Sequence, residues 1–247
     1  MPKTLSVLVP YRLPEPHLEK TLEDIKAKAT TNPVILPLED KSKELRMRHI
    51  INEVVEKADT EFIMKLDSHC LLDEGFDEKL IANSKPNRVQ VPRRYRLDAE
   101  KWEKYGDPID NEHIIFENLL HKLIWGTPWE TDHEDMMHFQ GSCWFMPREW
   151  FKKCGLLKTE GYGGWADEPE EILFTTLQHK GEVKVNKDTF YAHWHKPKEL
   201  AYPVNVNKNR TFSYNLWVNE NRELFREVVE KFMPLPDWPK EWEKWLD

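Results

Sequence analysis

The chain has 247 residues, a formal net charge of -8, 39% apolar and 32% charged residues. That length suits one large α/β domain or a domain with a small appendage. An aromatic content of 12%, with eleven Trp, excludes a disordered chain. The acidic balance argues against a protein built mainly to grip duplex phosphate, since that affinity comes from Lys and Arg releasing counterions. It leaves room for a local basic groove.

Residues 4–9 read as a buried strand: apolar, β-branched and ended by Pro10. Pro16 opens a helix in which Leu18, Leu22, Ile25 and Ala29 share a face. Pro33 blocks its continuation. A second strand follows at 34–38 and a second helix at 44–58, with Leu45, Ile51, Val54, Val55 and Ala58 inward. A third strand at 62–66 runs into Asp67. Strand and helix in alternation predict a doubly wound α/β sheet. In such sheets ligands bind outside the carboxyl ends of the strands, where Asp67, Ser68 and His69 fall.

A fourth strand is expected at 88–91. Residues 92–135 show weak periodicity and read as loops and short helices. A strand at 139–146, a short helix at 147–154, a glycine-rich loop at 161–165 and a helix at 168–179 come next, the last closed by Gly181. Short strands are expected at 183–185 and 189–192, ending in His193. After Pro203 the chain turns helical near 215–232 and ends in a Pro/Trp-rich tail with Trp238, Trp242 and Trp245. The expected division is a catalytic domain over 1–200 and a helical extension over 201–247 that packs on it.

Cys70, Cys143 and Cys154 are an odd set without C-x-x-C spacing. They make no disulfide framework and no Cys-rich zinc site. The apolar run at 5–10 is too short for a signal core, and no segment approaches the ~20 apolar residues of a membrane span. A cytoplasmic protein is expected.

The strongest chemical signal is the Asp67-Ser68-His69 triplet. A carboxylate and an imidazole two residues apart can converge on one divalent ion where the chain leaves a strand. Hard oxygen plus one nitrogen suits Mn²⁺ or Mg²⁺. Such an ion would neutralise a diphosphate leaving group. The plain alternative is a turn-capping Asp beside a solvated His. His193 and His195, two apart at a strand end, are candidates for a further ligand, His193 first.

Longer stretches carry a resemblance. Asn52-Glu-Val-Val, then residues 62–70 with Asp67-Ser68-His69-Cys70, then Gly75-Phe76, resemble GT-A-fold glycosyltransferases. The D-x-H form followed by Cys is similar to the polypeptide N-acetylgalactosaminyltransferases. Residues 140–146 with Arg148 and Phe151 resemble that family's acceptor-side strand and helix, and Trp165-x-x-Glu168-x-x-Glu171 its W-G-x-E-x-x-E segment. His193 resembles its third metal ligand. Five stretches (67–70, 74–77, 91–98, 139–146 and 191–196) also resemble glycosyltransferase-like proteins of bacteriophages. Some of these are thought to modify hydroxymethylated DNA bases.

The resemblance spans roughly residues 4–196. It implies a GT-A fold with a mixed, mostly parallel sheet, a nucleotide-sugar donor such as UDP-glucose, and metal ligands Asp67, His69 and His193. Pro10, Arg12, Arg48, Asp67, Ser68, Gly141 and Ser142 fall on the donor side. Gly141 and Ser142 would admit the donor sugar close to the backbone, or are ordinary strand residues. Asp167 or Glu168 would deprotonate the acceptor hydroxyl in an inverting reaction or orient the sugar in a retaining one. An acidic first helical turn gives the same pattern. Trp165 would stack on sugar or acceptor, or sit in the core. The chain departs from the family between Thr30 and Arg48, too short for both usual strands. That leaves Asp40 a doubtful nucleotide reader and favours Arg48. Arg93, Arg94 and Arg96 would meet phosphates or form a solvated loop. The acceptor is a hydroxyl, with a 5-hydroxymethylated pyrimidine of phage DNA as one candidate and a protein or glycan as another. A non-catalytic nucleotide-sugar-binding module is the competing reading.

Overall fold

The computed structural model describes residues 4–110, 114–117, 122–125, 134–200, 202, 206–235, 238 and 240–245. Strands β1 (Leu5–Tyr11), β2 (Val34–Glu39) and β3 (Phe62–Leu66) alternate with helices α1 (Leu18–Lys28) and α2 (Met47–Lys57). β1 lies between β2 and β3, parallel to both. Its Leu5, Val7, Leu8 and Val9 are fully buried, as expected for a strand covered on both faces. The short strand β4 (Cys70–Leu72) and helix α3 (Phe76–Ala82) follow.

The remaining strands of the main sheet are β5 (Arg88–Asp98), β6 (Glu103–Ile109), β9 (Cys143–Pro147) and β10 (Glu182–His193). A separate hairpin pairs β7 (Ile114–Glu117) with β8 (Lys122–Trp125). The main sheet has the order β2-β1-β3-β9-β5-β10-β4, with β6 on the side of β5. β1, β2, β3, β5 and β10 run one way and β9, β4 and β6 the other, so the sheet is mixed but mostly parallel.

Three expectations are corrected. Residues 92–98 are not loop but the second half of β5, which folds back on β6. The three arginines there hide the strand, which shows in its ladders: Arg93 to Arg96 pair with β10 from Phe190 to His193, and Arg94 to Asp98 with β6. Pro92 is tolerated because it sits where the register with β10 slips, between Asn186 and Phe190. The two short strands expected at 183–192 are one strand carrying that bulge. The strand expected at 139–146 begins only at Cys143, and residues 139–142 are a turn that enters the site. Parts of the 92–135 stretch lie outside the described residues.

β4 is an edge strand. Its outer side is closed by α1, where Thr21 Oγ1 accepts from the Cys70 amide at 3.1 Å and Asp24 Oδ2 from the Leu72 amide at 2.7 Å. Buried side chains thus satisfy an edge that would otherwise offer unpaired amides. Helices α4 (Arg148–Lys153) and α5 (Glu168–Gln178) follow β9. The C-terminal part holds α6 (Val206–Ser213), a π-helical stretch at Tyr214–Glu220, and α7 (Arg222–Phe232). It packs on α5 through Phe174, which stacks on Trp217 at 4.9 Å and lies 6.0 Å from Phe225. Trp242 is buried and meets Trp238 edge-on. No described helix is long and apolar enough to cross a membrane.

Candidate active site

The carboxyl ends of β3 and β10 bring three distant side chains together. Asp67 follows β3, and its amide donates to the Ser142 carbonyl at 2.7 Å. His193 ends β10 and pairs across the ladder with Cys70, which sets it beside His69. Ligand atoms of Asp67, His69 and His193 all lie within 4.8 Å of one another. Asp67 Oδ2 is 3.4 Å from His193 Nε2 and 4.0 Å from His69 Nε2. Two atoms bound at right angles to one ion at ~2.1 Å would sit ~3 Å apart, so small side-chain movements suffice.

The chemistry of the set fits a divalent cation. His193 is buried, and neither ring nitrogen has a hydrogen bond among the described residues. Burial pushes its imidazolium down to about 3, against a partial pull upward from Asp67. The ring is therefore neutral, the form that ligates metal. Burial pushes the Asp67 carboxyl up, but Lys65, His193 and His69 outweigh it and hold the group far below the usual carboxylate range. Asp67 is ionised.

Two supports escaped the sequence reading. Glu15 Oε1 lies 3.3 Å from His69 Nδ1, and Glu15 also pairs with Lys196. Burial raises the Glu15 carboxyl, but His69 and Lys196 outweigh it and hold it low. A carboxylate behind a ligating imidazole fixes the ring's orientation and tautomer. Lys65 is the second. Its fully buried ammonium donates to Asp67 Oδ1 and to the Gly141 carbonyl, each at 2.5 Å. A lysine inside the apolar strand Phe-Ile-Met-Lys-Leu was the readable signal, because buried lysines occur paired.

The cluster opens into a cavity of about 370 Å³ lined by Pro10, Lys65, Ser68, Gly141, Ser142, Trp165, Asp167, Glu168 and His195, among others. That volume lies in the range of small-molecule sites, ~300–1,000 Å³. Ser142 Oγ is 2.9 Å from Tyr191 Oη. A Cβ on Gly141 would lie 2.8 Å from Glu168 Oε2, so this glycine makes room for Glu168. Glu168 is buried, and burial raises its carboxyl despite Lys65 and Arg48 nearby. Asp167 caps α5 with φ +56°, and neither of its oxygens has a hydrogen-bond partner among the described residues. Burial, then Glu170, pushes its carboxyl up to about 8.

The loop carrying Trp165 is braced from two sides. Arg48 donates its amide to the Gly164 carbonyl at 3.2 Å, and Asn209 of α6 accepts from Gly163 and donates to the Trp165 carbonyl at 2.6 Å. Trp165 stays half-buried at the cavity wall, edge-on to Tyr202.

Other residues singled out in the sequence lie elsewhere. Arg48 is fully buried, pairs with Glu171, and donates to the carbonyls of Lys158 and Ala166. Its guanidinium is committed to protein groups and does not line the cavity. Asp40 accepts from Ser42 and Arg46 and does not line it. Arg12, also outside the lining, donates to the Lys43 carbonyl. The arginine cluster divides: Arg93 forms a fork on Asp110, Arg94 donates to Gln140, and Arg96 is exposed. His195 is exposed beside His193, their rings 4.9 Å apart. Cys70, Cys143 and Cys154 are free thiols, the first two buried.

This arrangement is a mixed α/β fold of the GT-A type, with an Asp-His-His group at the strand ends. Among solved structures the chain is similar to GalNAc-T7 with UDP, GalNAc and Mn²⁺, at TM-score 0.68 and 15% identity over 99% of this chain and 54% of that one. It thus spans about half the length of that protein. It is also similar to S. aureus TarS 1–349 in complex with UDP-GlcNAc, at TM-score 0.54 and 10% identity over 98% of this chain and 70% of that one. At such low identity the likeness is one of fold alone, the GT-A fold. No protein-family model matches the sequence, and no curated protein matches it.

Proposed function

We propose that the chain is a metal-dependent glycosyltransferase that takes a sugar from a nucleotide-sugar donor. The observation that carries this reading is the Asp67-His69-His193 group at the mouth of a 370 Å³ cavity, in a fold shared with proteins solved with UDP and UDP-GlcNAc. We assign Mn²⁺ or Mg²⁺ to Asp67, His69 and His193, and UDP as the donor nucleotide. When bound, the ion supplies charge neutralisation to the leaving diphosphate.

The chain's own residues supply the rest. Pro10, Ser68 and the Gly141–Ser142 turn line the donor side of the cavity. Trp165 forms an apolar wall for a sugar ring or the acceptor. Glu168, with its raised carboxyl and an oxygen close to Gly141, takes the acceptor's proton in an inverting reaction. In a retaining one it orients the donor sugar. Charges on buried groups are screened weakly, so positioning and charge stabilisation carry the rate. Residues 1–200 form the catalytic unit and residues 201–247 an extension that braces its loop through Asn209.

The acceptor we propose to test first is a 5-hydroxymethylated pyrimidine in DNA, on the strength of the sequence resemblance. The test is nucleotide release from a panel of nucleotide sugars with Mn²⁺, with and without DNA carrying 5-hydroxymethylcytosine or 5-hydroxymethyluracil. Release stimulated only by modified DNA supports both parts. Slow release indifferent to DNA turns the search to proteins and glycans. No release from any donor favours the binding module.

A further inference from the structure

We propose that Lys65 is a positioning residue that restricts Asp67 to one free oxygen and makes metal capture depend on the donor diphosphate. The proposal rests on the glycosyltransferase reading of the same site.

The geometry is specific. Lys65 and Asp67 are two apart at the end of β3, so their side chains leave the same face. Lys65 Nζ is held by Asp67 Oδ1 and the Gly141 carbonyl, each at 2.5 Å. Asp67 Oδ1 is thereby occupied, and Oδ2 is the oxygen turned towards both imidazoles. A carboxylate in this state offers a cation one oxygen, not two.

Charge follows from the same contacts. Imidazoles that ligate a metal are neutral. Asp67 brings one negative charge and Lys65 one positive, and Glu15 behind His69 is offset by Lys196, so the ligand set and its direct partners sum to zero; of the cavity's carboxyl groups, Glu168 also acts on Lys65 and Asp67. A divalent cation leaving water for such a buried site meets a fixed ammonium at close range and little net attraction, and buried charges are screened weakly. A nucleoside diphosphate brings the missing negative charge. Cation and diphosphate each improve the site for the other, and linkage makes the coupling reciprocal. The structural consequence is a site that stays weakly charged until the donor arrives. Gly141 adds to this: its carbonyl ties Lys65 to the turn lining the donor side of the cavity.

The experiment is Mn²⁺ binding followed by the electron paramagnetic resonance signal of free Mn²⁺, with and without UDP. It uses the full chain and the variants Lys65→Met and Lys65→Gln. Met keeps the stem's bulk, and Gln keeps a hydrogen-bond donor for Asp67 or Gly141 without the charge. The parent is expected to bind Mn²⁺ at least about tenfold more tightly with UDP than without, and both variants to bind Mn²⁺ alone at least about tenfold more tightly than the parent. The gain from UDP should shrink in both. A residue that merely supports the fold would lose metal affinity on replacement, so the predicted sign is opposite to that of a structural lesion. Thermal melts identify a variant that fails to fold, and the other variant then carries the test. Equal or weaker Mn²⁺ binding by a folded variant overturns the role of Lys65 while leaving the metal site standing. Absence of Mn²⁺ binding in parent and variants alike, with UDP present, overturns the metal-site reading itself.

Discussion

Replacing Arg48 with Ala should unfold the site's supporting wall before it touches any ligand. The guanidinium is fully buried, paired with Glu171, and bonded to the Lys158 and Ala166 carbonyls. It also stacks on Tyr162 at 4.2 Å. Removal strands the Glu171 carboxylate, which burial already raises despite Arg48 beside it. Breaking a buried pair in this way costs ~3–5 kcal/mol. For a chain of this size that is a fall in Tm of roughly 6–20 °C. Replacing both partners, as Arg48→Met with Glu171→Leu, leaves no stranded charge and should recover most of the loss. Calorimetry or a circular-dichroism melt measures both. An Arg48→Ala variant melting within about 2 °C of the parent but failing to bind UDP would refute this structural assignment and return Arg48 to the nucleotide.

Two further predictions concern the same wall. Asp167, raised from 3.8 to about 8, favours the folded protein while protonated, and its contribution is lost as pH climbs from the first value through the second. Asp167→Asn cannot ionise and suits the left-handed backbone there, so its stability advantage over the parent should grow by ~2–3 kcal/mol between pH 5.5 and 8. Denaturant titrations at both pH values give the comparison, and an advantage that is flat with pH would contradict it. Gly164→Ala would set a Cβ 1.5 Å from the Leu45 carbonyl oxygen, a backbone atom. The loop must move, at a cost of ~1–3 kcal/mol, and an unchanged melting temperature would show that the contact is not there.

The first half of the fold was legible because parallel strands buried on both faces read as continuous apolar runs, as in β1 and β3. The Asp67-Ser68-His69 triplet stood out because it falls at the end of such a run, and the resemblance of the stretches around it outweighed the reading as a turn-capping Asp beside a solvated His. The first half of β5 was legible at 88–91, but its second half was not, because a strand carrying Arg93, Arg94 and Arg96 imitates a loop until Asp110 and Gln140 are known to receive two of them. β10 looked like two strands because its bulge interrupts the alternation. His193 is preferred over His195 because it ends a strand, and the ladder sets it opposite Cys70 and beside His69. Glu15, Tyr202 and Asn209 act only through contacts across the chain, such as Tyr202 Oη with Lys196 at 3.2 Å, and no local pattern announces them. Arg48 shows the same limit, since a lone arginine in sequence does not reveal its pairing with Glu171.

The most direct test of the central claim is release of nucleotide from UDP-sugars by the purified chain, with and without Mn²⁺, beside Asp67→Ala. The account predicts release that requires Mn²⁺, disappears with a chelator, and is abolished in Asp67→Ala while that variant's melting curve stays cooperative. Undiminished release by Asp67→Ala, or by the parent with all divalent metal removed, would contradict it.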